Sequence, residues 1–158
     1  MPNEFSAGFE PRALIIEDET LIAEELTERL ERFGFSVIAA VDSAEEGIEI
    51  ATAQHPDLIL MDVRLRGEKD GVQAAAEIRQ HMDVPVIYLT AYSDKSTVER
   101  AKHTNPYGFV LKPFHERELQ VTIELAMHRY AMERKARQST DVPLAEAAGI
   151  AKTRLAPK

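Results

Sequence analysis

Five side chains able to handle a metal or a phosphoryl group stand at one kind of place in this 158-residue sequence. Each follows or closes a short apolar run. Glu17 and Asp18 follow Ala13-Leu14-Ile15-Ile16, and Asp62 closes the run that begins at Asp57. Thr90 closes Val84-Pro85-Val86-Ile87-Tyr88-Leu89, and Lys112 follows Tyr107-Gly108-Phe109-Val110-Leu111. Three carboxylates held within a few ångströms repel and raise one another's pKa. A hard divalent cation removes that conflict. All-oxygen ligation by few protein groups suits Mg2+, which keeps several waters and often contacts a phosphate. Lys112 offers a point charge to a phosphoryl oxygen, and Thr90 offers one hydrogen bond. Electrostatic stabilisation of that kind is most of what phosphoryl transfer asks of a protein.

Singly, these residues have plainer uses. Acids at 17–19 are favoured at a helix start by capping and by the helix dipole. Asp62 alone is an ordinary turn residue, and Thr90 alone is a β-branched strand residue. The joint set carries the weight, and it depends on elements that bring the five groups to one rim.

The apolar runs are rich in β-branched residues and read as buried strands over 13–16, 36–41, 57–62, 84–89 and 107–111. The mixed segments between them read as amphipathic helices. The first covers about 20–33, with Leu21, Ile22, Leu26, Leu30 and Phe33 on its inner face and Gly34 beyond its end. A capping-box pattern, Ser43 with Glu46, opens the second. The others cover about 72–82, 94–103 and 116–136. Five β-α units with right-handed crossovers predict an α/β fold, an open doubly wound five-stranded parallel sheet with five helices. Ligands bind such sheets at the carboxyl ends of the strands, which is where all five groups fall.

Composition narrows the function classes. The hydrophobic share is 44% and the charged share 29%, which fits one globular domain. Nineteen Lys and Arg against 27 Asp and Glu give a net charge of −8, which argues against nonspecific binding to DNA or to an anionic membrane. With no cysteine, disulfide scaffolds, thiolate zinc sites and cysteine nucleophiles are excluded. No apolar run reaches the roughly 18–20 residues of a membrane span. The opening MPNEFSAGFEP lacks a basic n-region and an apolar h-region, so the expected location is the cytoplasm. No P-loop, dinucleotide fingerprint or G-x-S-x-G elbow occurs, and His55, His81, His103, His115 and His128 show no H-E-x-x-H spacing.

The motifs LIIEDE (14–19), PDLILMD (56–62), DG (70–71), PVIYLTAY (85–92) and GFVLKPF (108–114) resemble the receiver domain of two-component response regulators, a flavodoxin-like fold, in order and in spacing. The resemblance covers residues 12 to about 130. It implies that Asp62 is the phosphoacceptor, attacking the phosphorus of a phosphohistidine on a sensor histidine kinase or phosphotransfer protein. It implies Mg2+ held by Asp18, Asp62 and the backbone carbonyl of Arg64, with Glu17 assisting. Thr90 matches the hydroxyl that moves onto the phosphoryl group, Lys112 the lysine that pairs with it, and Phe109 the aromatic rotamer switch. Phosphorylation would then remodel the face made by the fourth helix, fifth strand and fifth helix, controlling partner binding or dimerisation. Such a protein is not an enzyme beyond its own phosphotransfer and autodephosphorylation. Three departures stand out: Phe109 where many members have Tyr, Glu17 where others have Asp, and a loop after Asp62, VRLRGEK, one residue longer than in the simplest members.

The ends divide the chain into an N-terminal extension (1–11), the receiver (12–136) and a C-terminal tail (137–158) expected to be flexible. On the last helix Leu119, Ile123, Ala126 and Tyr130 form one stripe and Val121 and Leu125 a second, which either broadens the core face or serves a homodimer. Arg129, Arg134, Lys135 and Arg137 suit that helix's C-terminal end. The fragment LAEAAGIAKTRL (144–155) resembles the first helix of a helix-turn-helix, without the second helix that enters the major groove. DNA binding is not expected from this chain alone. Two alternatives remain open: a receiver fragment of a larger DNA-binding regulator, and a Mg2+-dependent phosphohydrolase with Asp62 as nucleophile. Arg64 stands where the latter needs a general acid.

Overall fold

The computed structural model describes residues 10–155 except Tyr92, with side chains described as far as residue 138. Five strands, β1 (Arg12–Ile16), β2 (Ser36–Val41), β3 (Leu58–Asp62), β4 (Val86–Thr90) and β5 (Gly108–Leu111), alternate with helices α1 (Thr20–Arg32), α2 (Ala44–Gln54), α3 (Gly71–His81), α4 (Lys95–Ala101) and α5 (Glu116–Leu155). A single 3-10 turn (Lys102–Thr104) follows α4. The strands form one parallel sheet in the order β2-β1-β3-β4-β5.

Alternation along each strand builds two cores, because successive side chains point to opposite faces. Ala13, Ile15, Leu58, Leu60, Ile87, Leu89 and Val110 meet Leu26 and Leu30 of α1 and Leu119, Ile123, Ala126 and Met127 of α5. On the other face, Leu14, Ile16, Ile59, Met61, Val86 and Tyr88 meet Ile48 and Ala51 of α2, Val72, Ala75 and Ile78 of α3, and Ala101 of α4. Helices α1 and α3 thus leave adjacent strands β1 and β3 toward opposite faces. The crevice between those strands is the topological switch point, and Asp18 and Asp62 stand at its mouth.

The sequence-based elements hold with shifts of one or two residues, with two exceptions. Leu21, expected on the inner face of α1, is 80% exposed; Ala23 takes its place in the core with Leu26 and Leu30. A helix that rests one stripe on a flat sheet buries a narrower arc than the apolar spacing suggests. The second exception is α5, which continues as helix to Leu155 rather than ending near 136. Ala, Leu and Arg recur in this stretch and are strong helix formers. Residues 1–9 of the N-terminal extension, and the tail's side chains beyond residue 138, including all those of the helix-turn-helix-like fragment (144–155), lie outside the described residues. Ser43 caps α2 by accepting from the Glu46 amide at 3.2 Å. The reciprocal capping box sits instead at α3, where Asp70 and Gln73 exchange hydrogen bonds of 2.9 Å. Gly34 has φ 97°, as its place after α1 requires.

Gly71 fixes where α3 begins. Its amide donates to the Val63 carbonyl at 3.0 Å, and a Cβ there would lie 1.8 Å from the Asp62 carbonyl oxygen, a backbone atom with little room to retreat. Gly71→Ala is expected to lower unfolding free energy by about 1–3 kcal/mol, the usual range for overpacking. Urea unfolding would check this, with Gly67→Ala as the contrast, since a Cβ at Gly67 meets no neighbour and only its φ of 105° is strained.

Candidate functional site

The carboxyl ends of β1, β3 and β5 bring four of the expected residues together. Carboxylate oxygens of Glu17, Asp18 and Asp62 all lie within 4.8 Å of one another. Lys112 reaches between two of them, its Nζ 2.8 Å from Glu17 Oε1 and 2.9 Å from Asp62 Oδ2. In the turn after β5 the Lys112 amide donates to the Thr90 carbonyl at 2.7 Å, and the Lys112–Pro113 peptide bond is cis.

Backbone amides hold the rest of the cluster. The Arg64 amide donates to Asp62 Oδ1 at 3.0 Å, so both Asp62 oxygens have a donor. The Glu19 amide donates to Glu17 Oε2 at 3.0 Å. The Arg66 amide donates to Asp18 Oδ2 at 3.1 Å, and the exposed Arg66 guanidinium lies 3.6 Å from the same oxygen. Glu17 Oε1 is different. Lys112 is close enough to neutralise it but is not aligned as a donor, so this buried oxygen has no hydrogen bond.

Electrostatics follow from this packing. Burial pushes the Glu17 carboxyl up from 4.5 to about 7, and the neighbouring Asp62 charge adds to the rise, while Lys112 and the Glu19 amide oppose it. Burial pulls the Lys112 ammonium down, but its contacts with Glu17 and Asp62 outweigh that and raise its pKa. Three carboxylates facing one ammonium, with one buried oxygen lacking a donor, are a donor set that fits a hard divalent cation. Glu17, Asp18 and Asp62 could supply it with oxygen ligands.

Two further expected site residues make contacts of their own. Thr90 is buried, and its hydroxyl donates to the Ala91 carbonyl at 3.3 Å and lies 3.5 Å from Asp94 Oδ2. Phe109 pairs in register with Tyr88, and the two rings stack with centroids 5.6 Å apart and planes 30° from parallel. Tyr88 is fully buried, with its hydroxyl bonded to Thr104 Oγ1 at 2.7 Å.

Asp94 is the residue that sequence reasoning missed. Four places after Thr90, its sequence context marks only the start of a helix. The structure buries it and gives it Ala91, Thr90 and Arg64 as partners. Its position ahead of a short helix was the available signal, since acids there bind nearby backbone amides.

A parallel α/β sheet with this strand order and an acidic cluster beside a lysine at its carboxyl edge defines a receiver-type signalling domain. The model of the response regulator receiver domain family matches residues 13–124, and the chain belongs to that family. It is 38% identical over 119 residues to the transcriptional regulatory protein PdtaR of Mycobacterium tuberculosis, covering 75% of this chain and 58% of that protein. It is 35% identical to the probable transcriptional regulator ycf27 of Porphyridium aerugineum, over 75% of this chain and 48% of that one. The chain therefore spans about half the length of these curated relatives, which are named as regulators. Among solved structures it is similar to the signal receiver domain of a modulated diguanylate cyclase from Desulfovibrio desulfuricans G20, with 37% identity, a TM-score of 0.73, and coverage of 78% of this chain and 98% of that chain. The N-terminal domain of a response regulator/sensory box/GGDEF 3-domain protein from Carboxydothermus hydrogenoformans is also similar, with 34% identity, a TM-score of 0.71, and coverage of 77% and 98%. Among the described residues, no helix is long and apolar enough to cross a membrane.

Glu17 gives a pH signature. Its folded pKa of about 7 lies above the ordinary 4.5, so the folded protein holds a proton that the unfolded chain releases. Metal-free stability is therefore greatest below pH 4.5 as far as this group is concerned, and falls as pH rises through 7. The loss is on the order of 3–4 kcal/mol, at about 1.4 kcal/mol per pKa unit. Glu17→Gln should flatten this slope and raise the melting temperature at pH 8. Thermal melts from pH 5 to 8 in a chelating buffer would show it, and parallel slopes in the two proteins would count against a protonated Glu17.

Proposed function

We propose that this receiver accepts a phosphoryl group on Asp62 from a phosphohistidine of a sensor kinase or phosphotransfer protein. The observation that carries the proposal is the setting of Asp62: a buried carboxylate beside Glu17 and Asp18, with one oxygen on Lys112 and the other on the Arg64 amide. An Asp62 oxygen attacks phosphorus, and the P–N bond to the donor imidazole breaks. The imidazole keeps the electron pair and Asp62 becomes an acyl phosphate.

Glu17, Asp18, Asp62 and the Arg64 carbonyl are the groups that would hold Mg2+, which when bound neutralises charge on the phosphoryl oxygens. Lys112 then exchanges part of its contact with Asp62 for a phosphoryl oxygen. Thr90 turns its hydroxyl from Ala91 and Asp94 toward the new group. That motion opens space beside β4 for the Phe109 ring and alters the face made by α4, β5 and α5, the surface offered to a partner or to a second copy. The modification brings up to about −2 charge and three acceptor oxygens, enough to reorder neighbouring charge pairs. A second reading, a receiver within a larger DNA-binding regulator, is favoured by the greater length of relatives named as transcriptional regulators.

Incubation with acetyl phosphate and Mg2+ should add one phosphoryl group, read as intact mass. Asp62→Asn and removal of Mg2+ by a chelator should each abolish the gain; persistent labelling of Asp62→Asn would sink the assignment. Lys112→Ala should fold, yet lose the phosphorylation-dependent change at Phe109, followed by the ring's NMR signals. An unchanged response there would remove Lys112 from the coupling.

A further inference from the structure

Asp94 is a buried carboxylate that the acceptor chemistry above does not use. It is 4% exposed and lies just before α4, outside the Glu17, Asp18 and Asp62 cluster. Its Oδ2 accepts the Ala91 amide at 2.8 Å and lies 3.5 Å from Thr90 Oγ1. Its Oδ1 accepts from an Arg64 guanidinium nitrogen at 3.1 Å. Its carbonyl accepts the Val98 amide at 2.8 Å, in the first turns of α4. A turn acid needs only the Ala91 contact. The second oxygen ties the loop after β3 to the loop after β4, across the mouth of the site.

Arg64 is the other half of that tie. Its amide is bonded to Asp62 Oδ1, so its guanidinium starts one side-chain length from the acceptor carboxylate. The side chain is 66% exposed, which leaves it free to swing. Asp94 offers the guanidinium a single charge, whereas a phosphoryl group on Asp62 offers up to about −2 and planar pairs of oxygens that match its fork.

We propose that Asp94 is a positioning residue that holds the Arg64 guanidinium off the acceptor, and that phosphorylation of Asp62 draws the guanidinium from Asp94 to the phosphoryl group. The transfer unties the start of α4 from the loop after β3 and leaves Asp94 to Ala91 and Val98. It gives α4 a link to the acceptor that does not run through Phe109. This inference rests on Asp62 being the acceptor.

Asp94→Asn and Arg64→Gln, singly and together, test it. Asn keeps an oxygen for the Ala91 amide and removes the charge that holds Arg64. With acetyl phosphate as donor, an Asp62 oxygen attacks phosphorus, the P–O bond to acetate breaks, and acetate leaves with the electron pair. Freed from Asp94, Arg64 meets the donor's phosphate earlier. Asp94→Asn should therefore lower the donor KM by about three- to tenfold, the scale of one charge-assisted contact, with a smaller change in the saturating rate. In the Arg64→Gln background the same substitution should have no effect. An unchanged KM, or an equal shift in both backgrounds, would overturn the proposal, because a purely structural Asp94 does not depend on the arginine. Amide exchange over residues 94–98 gives a second readout that needs no folded Asp94 variant. Phosphorylation should speed exchange there in the wild type and do little in Arg64→Gln, which already lacks the tie. An equal acceleration in both would also overturn it. A wild type that takes no phosphoryl group overturns the acceptor reading and this inference together. A wild type that labels while Asp94→Asn matches it overturns this inference alone.

Discussion

Glu17 Oε1 and Asp62 Oδ2 lie 2.8 and 2.9 Å from the same Lys112 ammonium, and that shared contact is the constraint around which the carboxyl edge is arranged. Three carboxylates gathered in so small a space carry more negative charge than one lysine neutralises. Burial, with the Asp62 charge adding to it, raises the Glu17 pKa, and a buried Glu17 oxygen is left without an aligned donor. Such a site carries unbalanced negative charge. Either a proton or a cation relieves it, and any added phosphoryl group must displace some of the contacts that hold it.

The fold keeps the cluster in place by means that are mostly apolar. Two cores, one on each face of the sheet, set the positions of the strand ends. Gly71 then lets α3 press against the carbonyl of Asp62, and the Asp70–Gln73 box fixes the first turn of that helix. The end of β3 is therefore closely packed. The opposite wall is different in kind: α4 has seven residues and one buried residue, Ala101, and polar contacts from Asp94 and from Arg100 to Asp70 supplement its packing. A wall held in part by ion pairs responds to charge, whereas a wall held by packing does not.

The solved receiver domains match the sheet and its helices over nearly their whole length, while the curated regulators extend well beyond it. Other features of this chain sit around that frame. Helix α5 runs on to Leu155 and leaves Val121, Leu125 and Met132 exposed. The loop after β3 carries Arg64 and Arg66, each paired with an acid at the rim. The expected second stripe on α5 is thus present and uncovered, and the arginines expected only as a difference in the loop are tied into the site.

The sequence by itself determined the five strands, their parallel order of use and the identity of the cluster, because buried strands must be continuous apolar runs and the groups that end them must share one edge. Asp62, Asp18, Glu17 and Lys112 were legible for that reason, and they meet as expected. Leu21 was misplaced because apolar spacing marks a stripe but not how much of it a flat sheet covers. Which charge meets which was decided only by the tertiary structure. Lys112 finds an acid 50 residues away, and Arg64 finds Asp94 across 30. Such pairings depend on how two loops are brought together by the closing of the sheet, and no local pattern encodes them. Asp94 looked like any acid before a helix. Its burial, and the cation that accompanies it, come from the packing of β3 against β4.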